Sequence, residues 1–230
     1  MNNATKKLIA TAGLALLATV GHSAHAQAGT GSLAGWSVLG DAVARGGAIT
    51  VTNAFLDGAG DAAHNLSGRS AADIGAVEAA AGVAPFGFDL PGDHHGTEGS
   101  LVGQSFAATA GQTLAFDWSF ASFDDTFLDH AFVVIGGRVF TLATTAEPGA
   151  SSQRFSHLFA QGGPVTLAFG VVDTDDVDGV SSLRISNLAV TAAVPEPSTY
   201  AMLLGGLGLI GFAATRGLNR RGAALRDRAR

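Results

Sequence analysis

Alternation of large apolar residues with small or polar ones is the strongest pattern in the middle of the chain. In residues 113–120 every second side chain is Leu, Phe or Trp, and residues 165–171 repeat the alternation with Val, Leu and Phe. A period of two is typical of strands with one buried face. Both segments are therefore predicted to be antiparallel β-strands.

Weaker versions of the pattern predict further strands, and glycine marks several of the breaks between them. Residues 110–112 and 136–138 have the composition of tight hairpin turns. The alanine-rich segment 71–81 instead predicts a short helix, capped by Ser70 with Asp73 and ended near Gly82. The remaining strands are expected at about 36–39, 48–53, 101–107, 131–135, 138–143, 153–159 and 182–192.

These elements predict an all-β fold for residues 27–193. Many short strands and one short helical insertion, without a repeat of 20 to 50 residues, favour two packed sheets over a solenoid or propeller. The expected architecture is a jelly-roll-like antiparallel β-sandwich.

The first 26 residues have the three parts of a secretory signal peptide. Lys6 and Lys7 precede an apolar run over residues 8–20, and small residues including Ala24 and Ala26 follow it. We expect a signal helix that is cleaved after Ala26. A buried N-terminal helix of the folded body is the alternative.

The last 37 residues form a second tripartite segment. Pro195, Glu196 and Pro197 would break a helix or strand, an apolar run over residues 200–215 follows, and six arginines stand after it. By the positive-inside rule the arginines stay in the cytoplasm. We therefore expect a C-terminal transmembrane helix, although the run is shorter than the roughly 20 residues that span a bilayer.

Residues 194–230 resemble a PEP-CTERM sorting signal. The resemblance implies that an exosortase recognises Pro195, Glu196 and Pro197 and removes the tail. The chain would then reach the cell surface or extracellular matrix of a Gram-negative bacterium that makes exopolysaccharide, after an inner-membrane intermediate handled by the secretion machinery. A plain C-terminal membrane anchor is the alternative. Residues 96–134 also resemble the exported β-sandwich modules that often precede this signal.

Charge and composition narrow the partners of residues 27–194. This segment holds 5 arginines, no lysine and 17 acidic residues, and the chain has no cysteine. A surface this acidic is unsuited to nucleic acid, which requires a basic footprint. Disulfides and thiolate metal sites are excluded, while divalent cations and neutral polymers fit the charge.

Two sets of carboxylates could bind calcium, which takes six to eight oxygen ligands. The first set is the loop Asp173, Asp175, Asp176 and Asp178, next to Gly179. The second set is Glu98, Asp124, Asp125 and Asp129, which would meet if strands 101–107 and 113–120 paired as a hairpin. The alternative for both sets is a group of solvated loop carboxylates.

The histidines show no zinc-like spacing. His94 and His95 are adjacent in a turn-rich segment and are expected on the surface, while His130 and His157 are expected on strands with outward-facing rings. Among the aromatic residues, Trp118 is expected to be buried, and the candidates for stacking on a sugar are Trp36, Phe123 and Phe127.

No catalytic residues are predicted, because the segment around Ser100 does not match a nucleophile elbow and no acid pair is marked as a proton donor. The predicted function is therefore that of an exported surface or matrix protein with a structural or adhesive role in an exopolysaccharide biofilm. The alternatives are a calcium-stabilised carbohydrate-binding module and a secreted glycan hydrolase.

Overall fold

The computed structural model describes residues 30–57, 61–123, 128–146, 153–192 and 201–212. The predicted signal peptide with Ala24 and Ala26, and the motif Pro195–Pro197, lie outside these residues. Residues 30–192 form two antiparallel sheets packed face to face, as the alternation predicts.

The strands follow one another along the chain with one short helix among them. They are β1 (Ser37–Leu39), β2 (Asp41–Arg45), β3 (Ala48–Thr52), β4 (Ala72–Asp73), β5 (Gly96–Ala108), β6 (Thr113–Ser122), β7 (His130–Ile135), β8 (Arg138–Thr144), β9 (Gln153–Leu158), β10 (Gly163–Thr174) and β11 (Ser181–Thr191). Helix α1 spans Ile74–Ala81, and a 3₁₀ turn spans Asp61–Ala63.

The strands divide between the sheets in an order that differs from their order along the chain. One sheet has the order β1-β5-β10-β7-β8, with β4 also paired to β5, and the other has the order β2-β3-β11-β6-β9. The expected hairpin between β5 and β6 is wrong, because the two strands belong to different sheets and the turn at Gly111 carries the chain from one sheet to the other. The turn at Gly136 and Gly137 is a true hairpin, and both glycines have the positive φ that such a turn requires.

The main core fills the space between the sheets. Phe116 and Trp118 of β6 face Phe169 of β10, and the rings of Phe116 and Phe169 meet edge to face with centroids 4.9 Å apart. Burial of Trp118 confirms the prediction from alternation. Removing one such buried ring typically costs about 3–5 kcal/mol of stability.

A second apolar layer covers the outer face of the sheet that contains β7. Val77 and Ala81 of α1, together with Phe88 after it, pack on Phe132 and Val134. Both faces of β7 are therefore buried, which explains why its sequence is a continuous apolar run and does not alternate.

The helix is shorter than predicted and has a different cap. Asp73, not Ser70, is the N-cap residue, and its carboxylate accepts a hydrogen bond from the Gly75 amide. Residues 72–73 add β4 to the edge of β5, so the helix starts only at Ile74. Gly82 ends it in the left-handed conformation, as expected.

The last strand runs through the middle of its sheet from one end of the sandwich to the other. Ser181 pairs with Ser122 at one end, and Thr191 pairs with Thr113 at the opposite end. The chain therefore leaves the sandwich at the end that holds Thr113.

Residues 201–212 form a separate helix whose side chains are all exposed. Within the described part of the chain, no helix is long and apolar enough to cross a membrane.

Candidate functional site

Polar side chains are buried at the end of the sandwich where β5, β7 and β11 begin and β3 and β10 end. We call Glu98, Asp129 and Asp173 the acid cluster; their side chains are 4%, 0% and 1% exposed. Glu98 of β5 is directly opposite Asp173 of β10 in the antiparallel ladder. Asp129 immediately precedes β7, the other neighbour of β10. The cluster therefore extends the inner face of this sheet beyond the last apolar residues.

Asn53 links the acid cluster to the opposite sheet. Its Nδ2 donates to Asp129 Oδ2 at 3.1 Å and to Asp173 Oδ2 at 3.3 Å. Its Oδ1 accepts the Ser181 amide at 2.7 Å, and its own amide donates to the Ser181 carbonyl. Asn53 is thus fixed by β11 and positions the carboxylates.

Burial and mutual repulsion favour the protonated forms of these carboxyl groups. Burial raises the pKa of Glu98 to about 7, with a smaller upward contribution from the nearby Asp176 and Asp129. Burial also strongly raises the pKa of Asp173, and the charge of Asp129 adds to the effect. Hydrogen bonds join Asp173 to Glu98, Asp129 and Asp176.

The loop after β10 folds back over the start of β5. Thr97 Oγ1 donates to the backbone carbonyls of Asp173 and Asp176 at 3.1 and 2.5 Å. This places the Asp176 side chain beside the acid cluster, where it hydrogen bonds with Asp173.

Asp175, from the same loop, contacts a different set of residues. Its carboxylate accepts the His95 amide at 2.8 Å and pairs with the His94 ring, which lowers the pKa of Asp175. The His95 ring pairs with Asp89 at 2.8 Å, and this hydrogen bond raises the pKa of His95. The adjacent histidines thus turn to different carboxylates and fasten the 89–95 segment to the loop.

The structure therefore regroups the two predicted acidic sets. Glu98 and Asp129 of one set meet Asp173 and Asp176 of the other. Asp178 is exposed, close enough to Asp61 to raise the pKa of that carboxyl group. Asp124 and Asp125 lie outside the described residues. Among the described residues, no group of three or more His, Asp or Glu side chains is already arranged to hold a metal ion.

The predicted outward orientation of His130 is wrong. Its ring is buried against Phe88 and Phe132, with Nδ1 3.2 Å from Thr174 Oγ1, because α1 and Phe88 cover this face of β7. Burial lowers the pKa of His130 to about 4, so the ring is neutral at physiological pH. His157 is also not outward: it is half-buried, and its ring packs on Phe159 with centroids 5.1 Å apart.

A second buried carboxylate, Asp41 at the start of β2, is fully surrounded by donors. It accepts from Thr52 Oγ1 at 2.5 Å and from the amides of Leu66 and Ser67 at 2.9 and 2.7 Å. It anchors residues 66–67 to the sandwich and leaves no carboxylate oxygen for another ligand.

The aromatic candidates for sugar stacking separate in the structure. The Trp36 ring is half-buried on the core, tilted against Phe169. Phe123, at the end of β6, is 63% exposed, and its ring stacks on His64 with centroids 4.0 Å apart. Phe127 lies outside the described residues.

Sequence reasoning missed Asn53 and did not recognise that the acidic positions face inward. The alternation itself carried the second clue. Asp129 continues the inward series of Ala131 and Val133, and Asp173 continues that of Phe169 and Val171. A carboxylate at an inward position is a stronger indication of a site than a carboxylate in a loop.

Comparison with known proteins identifies a motif at the carboxyl end. Residues 193–221 match the family model of the PEP-CTERM protein-sorting motif. A solved structure described as "CBM4 structure and function" is similar to this chain with a TM-score of 0.35 and 12% identity, covering 69% of this chain and 94% of that chain. No curated protein sequence matches the chain significantly.

Proposed function

Because residues 193–221 carry a PEP-CTERM protein-sorting motif, we propose that the protein is exported and processed by an exosortase at Pro195, Glu196 and Pro197. The sandwich of residues 30–192 is the cargo that this sorting delivers to the cell surface or extracellular matrix. The matched motif is the observation that carries the proposal.

Two features of the chain support this proposal. The motif begins two residues after Thr191, the last residue of β11, so cutting within it leaves every strand of the sandwich intact. The sequence after the motif's apolar run ends in an arginine-rich tail, whose charge favours retention on the cytoplasmic side.

The role proposed for the delivered sandwich is structural or adhesive in an exopolysaccharide-associated biofilm. Its surface is strongly acidic, which favours contact with neutral polymers and cations over contact with anionic ones. In this proposal the exosortase and the secretion machinery are partners during export, and exopolysaccharide is a partner afterwards.

Replacing Pro195 and Glu196 together by Ala tests the sorting proposal in the native host. We expect the double variant to keep its tail and to accumulate as full-length protein in the membrane fraction. Mass spectrometry of the surface-released chain gives the processed end of the wild type. Ser198→Ala, next to the motif residues, is the matched control and should be processed normally. Normal release of the double variant would contradict the proposal.

Binding of a polysaccharide is a second candidate function, favoured by the exposed ring of Phe123. A flat apolar face in water is the usual platform for a sugar ring, and the stacked His64 ring holds it in place. Phe123→Ala should reduce retention on an exopolysaccharide column. Val177→Ala removes an exposed apolar side chain without a ring and should leave retention unchanged. Equal retention of both variants and the wild type would argue against this candidate.

A further inference from the structure

The acid cluster concentrates negative charge in a place where the protein offers little to balance it. Glu98, Asp129 and Asp173 are all at least 96% buried, and a buried carboxylate is strongly disfavoured unless it is paired or protonated. The pKa directions of Glu98 and Asp173 express this cost. The cluster therefore has a strong attraction for a positive charge.

Two oxygens of the cluster are left without a partner. Glu98 Oε1 and Asp173 Oδ1 are buried and accept no hydrogen bond within the described structure. Native proteins rarely bury such acceptors unpaired, so each one points to a ligand that completes the site. Asp41, a few residues from Asn53 along the chain, shows how the same fold satisfies a buried carboxylate when no ligand is needed.

The protein's own cations do not supply the missing charge to these two residues. Among the described residues, the ion pairs of arginine and histidine involve Asp89, Asp93, Asp117 and Asp175, and none involves Glu98 or Asp173. The nearby His130 is neutral, since burial lowers its pKa to about 4. The balancing charge must come from solution, either as protons or as a metal cation.

We infer that Glu98, Asp129 and Asp173, with Asp176 beside them, bind one divalent cation of the calcium type. Carboxylate oxygens without thiol or imidazole ligands suit a hard cation, and calcium accepts the irregular, oxygen-rich surroundings that strand ends and loops provide. Asn53 is a positioning residue, because its Nδ2 holds the outer oxygens of Asp129 and Asp173.

Binding replaces the hydrogen bonds that now join the carboxyl groups to one another. Protons shared among Glu98, Asp129, Asp173 and Asp176 hold the side chains in mutual contact, so they are not yet spread around one point. A cation displaces these protons, and its affinity therefore increases as the pH rises. The inference uses only the geometry of residues 53–176 and is independent of the sorting motif.

Thermal unfolding of the purified full chain, first stripped with EDTA, tests the site. We expect added CaCl₂ to raise the midpoint of unfolding by about 5–10 °C at a concentration 100 times the dissociation constant. Isothermal titration calorimetry should give a stoichiometry near one. MgCl₂ should produce a smaller shift, because magnesium demands a stricter octahedral geometry.

Variants locate the binding. Asp173→Asn and Glu98→Gln remove one charge each at nearly constant shape and should weaken calcium binding by at least about tenfold. Asp117→Asn makes the same change at a carboxylate outside the cluster, on the outer face of the other sheet, and should keep wild-type affinity.

The inference is wrong if calcium leaves the unfolding midpoint of the wild type unchanged, or if Asp173→Asn and Glu98→Gln respond to calcium as the wild type does. The wild-type titration needs no variant, so a failure of either variant to fold does not protect the inference. Loss of processing in the Pro195 and Glu196 double variant would be a separate result, since the calcium titration does not depend on sorting.

Discussion

The sandwich buries carboxylates in two places and treats them in opposite ways. Asp41 is completely buried and receives the Thr52 hydroxyl and the amides of Leu66 and Ser67. The acid cluster is equally buried, but its carboxyl groups contact one another and share Asn53 as a donor. Burial alone therefore does not mark a binding site. The balance of donors against acceptors distinguishes a structural anchor from a site with room for a ligand.

Removing the Asp41 carboxylate should have the largest effect on stability. Asp41→Ala leaves the two amides and the hydroxyl that it binds without an acceptor, which should lower the free energy of unfolding by about 3 kcal/mol. Urea denaturation measures this change. Asp41→Asn keeps an oxygen acceptor and should cost less. A free energy of unfolding for Asp41→Ala within about 0.5 kcal/mol of the wild type would show that Asp41 is not an anchor.

Removing a charge from the acid cluster should have the opposite sign. In EDTA at pH 7, Asp173→Asn should increase the free energy of unfolding by about 1–2 kcal/mol, because it relieves repulsion among buried carboxyl groups. The same urea experiment measures it, with Asp117→Asn as the control that gains nothing. If Asp173→Asn is less stable than the wild type in EDTA, the contrast with Asp41 fails.

The smallest effect should be a pH dependence at Glu98. Its pKa rises from 4.5 to about 7 on folding, so its contribution to stability is complete below pH 4.5 and is lost as the pH rises through 7. Glu98→Gln imitates the protonated form at every pH. In EDTA, the unfolding midpoints of the two proteins should agree near pH 4.5, and the variant should be the more stable at pH 8. Parallel curves over this range would show that Glu98 does not titrate in this way.

Much of the sandwich could be predicted from local sequence. Period-two alternation placed β6 and β10, and paired glycines placed the turn between β7 and β8, because these signals depend on residues close together in the chain. β2 escaped prediction because it contains small alanines and begins with a buried Asp41, so its apolar contrast is weak. The partner of each strand was harder to predict: β5 pairs with β10, more than 50 residues away, and not with the adjacent β6.

The acid cluster could be predicted only in part, for the same reason. Local spacing identified Glu98, Asp129 and Asp173 as candidates, but the ladder register of β5, β7 and β10 decides that they meet. Asn53 lies 120 residues before Asp173 and has no distinctive motif around it. Only the packing of one sheet on the other shows that it reaches across to these carboxylates.

The path of β11 separates the two ends of this molecule. The strand crosses its sheet from Ser181, beside Asn53, to Thr191, so the tail departs roughly 30 Å from the carboxylates. An enzyme that grips the tail does not cover the opposite pole, and a molecule docked at that pole does not block the enzyme. Attachment and recognition are thus mechanically uncoupled, and each can be altered by mutation without disturbing the other.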